Sequence, residues 1–296
     1  MPRRTERHRL IVDDLQTSYL IAGADSAPPV VLLHDGAWGG SARASWDAII
    51  PHLAEYYRVI APDLFGYGDS SKVVQLDVAP YEFRLRQVAG LLDALGLRDR
   101  RAHIVGNSFG GAMALRASTI DWFAWRMRSA TSIAGTGGPF RTKESLVSLA
   151  HFDGSGADMR RIVLLLTGEF DGLDEYVDLR LQDASNPGHY RAVAAAGLAT
   201  PFATTVGTDP YPASLASATM PITLVSGRND DLVERDWAQQ IAAHAPSCSV
   251  REIDGRHSPN ISDPGQTAEL LVDILVEHEQ RELQNGASGS TGTSRQ

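Results

Sequence analysis

Apolar and polar positions along this chain follow two periods that alternate. Pro29–Leu33 (PVVLL) is an uninterrupted apolar run, the pattern of a strand covered on both faces. Arg58–Ala61, Ala130–Ile133, Ile222–Ser226 and Ser249–Ile253 read as further strands. Between them, Trp46–Tyr57, Tyr81–Leu95, Glu234–His244 and Thr267–Leu283 repeat apolar residues at helical spacing, and Gly96 stands where it can cap the second of these. Arg9–Val12 and Ser18–Ala22 predict a hairpin that turns at Asp13-Asp14. Strands alternating with helices predict an α/β fold, a mainly parallel sheet with helices on both faces. Ligands of such sheets bind beyond the C-terminal strand ends.

The alternation stops after Gly135. Residues 136–210 carry helical patterns only, at Ser145–His151, Met159–Thr167, Asp174–Ala184 and Gly188–Leu198, with Gly and Pro between them. This predicts a helical cap inserted into a core made of residues 1–135 and 211–284. The Gly/Ser-rich stretch 285–296 predicts a disordered tail.

Composition narrows the function classes. With 296 residues, 43% of them hydrophobic, one large α/β core with an insertion is expected rather than two equal domains. The net charge is −9 and no strong basic run follows Arg9, which argues against a nucleic-acid partner. No stretch approaches the roughly 20 apolar residues of a membrane span, so no membrane partner is expected. MPRRTERHR lacks the apolar segment of a secretory signal. The single Cys248 rules out an internal disulfide and fits a cytoplasmic location. In the polar stretch PSCS it reads as an exposed thiol rather than a nucleophile.

The chemistry concentrates at Ala102–Ala114, AHIVGNSFGGAMA. Gly106-Asn107-Ser108-Phe109-Gly110 fits G-x-S-x-G between a strand and a helix, the pattern that holds a Ser hydroxyl at the apex of a strained turn. A Ser hydroxyl needs a base at neutral pH. His257 lies in DGRHSP, a loop directly after a strand, whereas His244 and His278 lie inside helix patterns. Asp230, in SGRNDDLV after another strand, is the acid expected to orient His257, in preference to Asp231; Glu252 and Asp254 crowd the His loop itself. Backbone N–H groups of Phe109 and of Gly36, in the glycine-rich loop His34–Gly40, are the expected oxyanion donors. His34 is expected to hold that loop in place. No HExxH motif or phosphate-binding loop is present, so no metal or organic cofactor is expected.

Together, LLHDGAWGG, APDLFGYGDS, VGNSFGGAMAL, VSGRNDDLV and DGRH resemble the α/β-hydrolase superfamily across about residues 9–280. Within it the chain looks most like the meta-cleavage product hydrolases, on the strength of VGNSFGG, the loop after His34, SGRND and LRLQDAS. The resemblance implies cleavage of a C–C bond in vinylogous diketo acids formed by aromatic ring opening, and a homo-oligomer. It also implies that Arg180 binds the carboxylate of a small-molecule substrate and that Asn107 touches the substrate. Three positions depart from that family: Asp35 and Trp38 in the glycine-rich loop, and Ser258 after His257 where an aromatic residue is common. Trp38 and Ala37 are expected to line the substrate pocket, and Asp35 to place a negative charge near its mouth. A carboxylesterase or lactonase is the competing enzyme reading. A non-catalytic small-molecule receptor on the same fold is the competing reading of another class. Epoxide hydrolases and haloalkane dehalogenases fit less well, because they generally carry Asp at the position of Ser108.

Overall fold

A computed structural model describes residues 4–76, 78–195, 198 and 209–290. Eight strands form one sheet: β1 (Glu6–Val12), β2 (Leu15–Ala22), β3 (Pro29–Leu33), β4 (Arg58–Pro62), β5 (Ala102–Asn107), β6 (Met127–Ile133), β7 (Ile222–Gly227) and β8 (Cys248–Ile253). Their order is β1-β2-β4-β3-β5-β6-β7-β8. Only β2 pairs antiparallel, with β1 and with β4; the other neighbours are parallel. The β1–β2 hairpin turns at Asp13 and Asp14, with φ of 48° and 62°, the left-handed pair of a type I′ turn.

The helices are α1 (Ala42–Trp46), α2 (Ile50–Leu53), α3 (Pro80–Ala94), α4 (Phe109–Ala117), α5 (Asp121–Ala124), α6 (Lys143–Ala150), α7 (Gly156–Thr167), α8 (Leu173–Ala184), α9 (His189–Ala194), α10 (Trp237–Ala242), α11 (Pro259–Ser262) and α12 (Pro264–Ser290). The single helix expected over Trp46–Tyr57 is two short ones. The Ser41 hydroxyl caps α1 by accepting from Ala44 N–H at 3.0 Å. Pro51, near the start of α2, has no N–H to give, and its ring would strike the carbonyl four residues back, so α1 cannot run on through it.

Alternate residues of the central strands feed opposite faces of the sheet. Val31, Leu33 and Ile104 pack with residues of α3, α4 and α10. Val30, Leu32 and Val105 pack with residues of α1, α2 and α12. A third apolar cluster is built from α7 and α8, with Trp38 and Leu232 reaching into it from loops of the core. The four helices α6–α9 all lie between β6 and β7. The helix expected over Gly188–Leu198 is seen as α9, which ends at Ala194; residues 196–197 and 199–208 of the predicted cap lie outside the described residues. At the other end α12 continues to Ser290, so residues 285–290 are helical rather than part of a disordered tail, and 291–296 lie outside the described residues. No described helix is long and apolar enough to cross a membrane.

Candidate active site

The turn between β5 and α4 carries Ser108 at φ +53° and ψ −114°, a strained conformation for a residue with a Cβ. Two glycines make so sharp a turn possible. A Cβ on Gly106 would stand 2.1 Å from the carbonyl carbon of Gly110, and one on Gly110 would stand 2.2 Å from the Leu33 oxygen. Strand and helix therefore approach closely, and Ser108 projects from the apex.

His257 follows β8 and Asp230 follows β7, both at C-terminal strand ends. His257 Nδ1–H donates to Asp230 Oδ2 at 2.8 Å, which leaves Nε2 as the acceptor for Ser108 Oγ–H, also at 2.8 Å. The other Asp230 oxygen accepts from Leu232 N–H at 2.9 Å, so the carboxylate is fixed from both sides. Both side chains are buried, which strengthens the interaction between an imidazolium and the carboxylate. Asp231 instead pairs with Arg256 at 3.2 Å, on the exposed side.

The glycine-rich loop after β3 meets the start of α4. A Cβ on Gly36 would lie 2.8 Å from the Phe109 Cβ, so these residues are in direct contact. Tyr67 Oη–H donates to the Gly36 carbonyl at 2.9 Å and fixes its peptide. Ala37 N–H is already given to Asp35 Oδ1 at 2.9 Å. The N–H groups of Gly36 and Phe109 have no partner among the described residues, and Phe109 opens α4, whose dipole adds positive potential there. His34 is fully buried; its Nδ1–H donates to the Asp35 carbonyl at 2.6 Å and its Nε2 accepts from Leu64 N–H at 2.9 Å. Burial lowers its pKa, which suits this neutral, structural role.

A cavity of about 460 Å³ opens over Ser108 and His257, with Ala37 and Trp38 in its wall. Trp38 also ties the loop to the overlying helices, because its indole N–H donates to the Leu149 carbonyl at 3.0 Å and its ring packs on Phe152.

Two expected substrate contacts are corrected. Arg180 is fully buried and outside the cavity wall. Its guanidinium grips Asp35, Nη2 to Oδ1 at 2.5 Å and Nη1 to Oδ2 at 3.2 Å, while Nε donates to the Trp38 carbonyl at 2.7 Å and Nη1 to Tyr176 Oη at 2.9 Å. The carboxylate that Arg180 binds is thus the chain's own. Asp35, expected as a free charge at the mouth, is buried and neutralised. Burial pushes its pKa up, but the guanidinium more than offsets this and holds it at about 2. Asn107 is likewise buried and committed. Its Nδ2 donates to the His257 carbonyl at 3.0 Å, and its Oδ1 accepts from Ser258 Oγ–H at 3.0 Å. It anchors the loop that carries His257. Ser258 completes that anchor, donating its backbone N–H to Leu166 of α7 at 2.9 Å. Cys248 is partly buried at the start of β8 rather than exposed, and burial pushes its thiol up to about 12.

Sequence reasoning passed over Arg84 of α3 and Arg141, both in the cavity wall. The available signal was a charged residue on the buried stripe of α3: Arg84 lies between Phe83, Leu85 and Val88, all buried.

The chain is 28% identical over 260 residues to a 2-hydroxymuconate semialdehyde hydrolase from Pseudomonas sp. strain CF600, covering 84% of this chain and 87% of that one. It is 32% identical over 186 residues to a 2-hydroxy-6-oxo-2,4-heptadienoate hydrolase from Pseudomonas putida strain F1, covering 62% and 65% of the two chains. Among solved structures, the 2-hydroxy-6-oxo-6-phenylhexa-2,4-dienoate hydrolase from Rhodococcus sp. strain RHA1 superimposes with a TM-score of 0.78 at 26% identity, over 94% of this chain and 99% of that one. All three are named as hydrolases. A strained serine after the fifth strand, a mostly parallel eight-stranded sheet and a match to the alpha/beta hydrolase family model over residues 30–270 lead to one assignment: this chain belongs to the alpha/beta hydrolase family.

Proposed function

We propose that this chain is a cofactor-independent serine hydrolase that cleaves a C–C bond in a vinylogous diketo acid derived from aromatic ring opening. Ser108 is the nucleophile, His257 the general base and acid, and Asp230 the group that orients the imidazole. The observation that carries the reading is the unbroken Ser108–His257–Asp230 relay, 2.8 Å at each step, with Ser108 and His257 lining a cavity. The chemistry of the similar enzymes supplies the substrate class.

The proposed steps use the groups of this relay. The dienol substrate first loses its enol O–H proton and gains one on carbon, becoming a ketone, so that the carbanion of the later cleavage is conjugated with a carbonyl. His257 Nε2 takes the proton of Ser108 Oγ as the oxygen attacks the other carbonyl carbon. Negative charge builds on that carbonyl oxygen, and the N–H groups of Gly36 and Phe109 receive it; each such donor is worth roughly 3–4 kcal/mol in comparable sites. The C–C bond breaks, the imidazolium returns its proton to the departing carbon, and an acyl group remains on Ser108. Water, deprotonated by His257, then releases the acid. The helices α6–α9 act as the lid that shields the carbanion from solvent.

A second reading, a carboxylesterase, is favoured by one observation: Arg180 is occupied by Asp35. A substrate panel separates the two. Yellow ring-fission dienoates, followed by loss of visible absorbance, are compared with p-nitrophenyl esters. Turnover of the dienoates with kcat/KM above that of the esters supports C–C hydrolysis. Turnover of esters alone overturns it in favour of the esterase.

A further inference from the structure

The wall of the catalytic cavity is electrically one-sided. The chain as a whole carries 36 acidic and 27 basic residues, yet among the described residues no Asp or Glu lines this cavity, and two arginines do. Arg84 is only 7% exposed. Its Nε donates to the Phe65 carbonyl at 3.0 Å and its Nη1 to the Pro80 carbonyl at 3.1 Å. These two bonds fix the plane of the guanidinium and leave Nη2 without a partner among the described residues. The group stacks 5.3 Å from the ring centre of Phe109, the residue after Ser108, and 5.6 Å from that of Tyr67. Arg141 enters the same cavity from the start of the inserted segment, with Nη2 donating to the Ser145 carbonyl at 3.3 Å.

Neither arginine has a carboxylate in ion-pair range among the described residues. This is unusual within the molecule itself. The other arginines buried as deeply as Arg84 among the described residues each have an acid: Arg116 has Asp209, Arg126 has Asp93 and Arg180 has Asp35. Burying a cation without a counter-charge is costly. Burial lowers the pKa of Arg84 and of Arg141, opposed only by tyrosine hydroxyls. A guanidinium held by two carbonyls, with Nη2 free, stacked on the residue after the nucleophile and with no acid beside it among the described residues, lacks only an anion.

We infer that Arg84, with Arg141 beside it, is the anion-recognition element of this cavity and binds the carboxylate of the substrate acid. The inference rests on the reading of Ser108 as the nucleophile of the same cavity. It moves the recognition of the acid from α8, where Arg180 is locked to Asp35, to α3 and the loop before α6. Planar guanidinium groups suit a carboxylate through paired, charge-assisted hydrogen bonds.

The test uses equilibrium binding, which needs no turnover. Calorimetry on the full chain compares benzoate with benzamide, which differ in charge but hardly in shape. The wild type is expected to prefer benzoate at least tenfold, and Arg84→Gln and Arg141→Gln each to cut that preference by about ten- to a hundredfold. Arg160→Gln, at a half-buried arginine of α7 outside the cavity, is expected to keep it. Kinetics add a second readout: the loss on mono-p-nitrophenyl succinate falls on KM and exceeds the loss on p-nitrophenyl butyrate at least tenfold. Should Arg84→Gln fail to fold, Arg141→Gln and the wild-type preference carry the test. No preference for benzoate in the wild type, or a full preference in both variants, overturns the inference. Undiminished ester hydrolysis by Ser108→Ala would instead overturn the nucleophile reading, whatever benzoate does.

Discussion

The Asp35–Arg180 pair offers the sharpest energetic prediction. Arg180→Met removes a fully buried guanidinium and leaves Asp35 buried beside it. Asp35 keeps two donors, Ala37 N–H at 2.9 Å and Ser45 Oγ–H at 3.0 Å, but loses both arms of the fork. The Trp38 carbonyl also loses its partner in α8. Breaking a buried ion pair on one side costs about 3–5 kcal/mol, since a charge is left uncompensated. For a chain of this size that lowers the melting temperature by roughly 5–8 °C. The double variant Asp35→Leu/Arg180→Met removes both charges and is expected to recover at least half of the loss, a coupling of about 2 kcal/mol or more in a double-mutant cycle. Urea unfolding of the four chains measures this. Asp35 also sets a direction with pH. Its folded pKa of about 2 lies below the ordinary carboxylate value, so its contribution is complete above about 3.8 and is lost as the pH falls towards 2. An Arg180→Met variant with an unchanged unfolding midpoint, and a raised KM for acidic substrates only, would refute the reasoning and return Arg180 to the substrate.

Other outcomes are as specific. Asn107→Leu leaves the His257 carbonyl and the Ser258 hydroxyl unpaired in the interior, at about 1–3 kcal/mol per buried group; kcat should fall roughly ten- to a hundredfold, and a rise in KM at constant kcat would mean that Asn107 meets the substrate after all. Cys248→Ser should retain full activity, and iodoacetamide at neutral pH should not inactivate the wild type, because burial holds the thiol at about 12; rapid inactivation that the variant escapes would contradict this. His189 accepts from Gly39 N–H at 3.0 Å, and burial holds its pKa down at about 4. The unfolded chain therefore binds a proton below about 6.5 that the folded one does not, and stability falls by about 1.4 kcal/mol per pH unit from 6.5 towards 4. His189→Gln should make the dependence of the urea midpoint on pH shallower across that window, His34, His103 and His278, also held down by burial, supplying the rest; an unchanged slope would count against a neutral, buried His189.

Local rules made the centre of this molecule legible in one dimension. Gly106 and Gly110 are demanded by the closeness of strand and helix, so their spacing around Ser108 announces the turn before any coordinates are seen. Strand ends mark where His257 and Asp230 emerge, and the two prove to be hydrogen-bonded. Contacts between segments far apart in sequence were not legible. Asp35 was visible as a departure from a glycine-rich loop, but its partner lies 145 positions away on α8, and nothing in either segment names the other. The family resemblance implies a substrate contact for Asn107; its side chain instead serves the His257 loop, which follows β8, three strands away in the sheet. Pro51 was in plain sight, and its backbone effect overrode the apolar periodicity of Trp46–Tyr57. Periodicity records which face is buried, and it cannot record that a buried stripe on α3 includes a guanidinium turned toward a cavity.

Covalent labelling tests the Ser108–His257–Asp230 relay most directly. A fluorophosphonate that mimics the tetrahedral oxyanion is incubated with the wild type and with His257→Ala, and the adduct is located by peptide mass spectrometry. The expected result is a single adduct on the peptide carrying Ser108, formed about a hundredfold or more slowly once the imidazole is gone. An adduct on any other residue, or labelling of Ser108 at an undiminished rate in His257→Ala, would contradict the account.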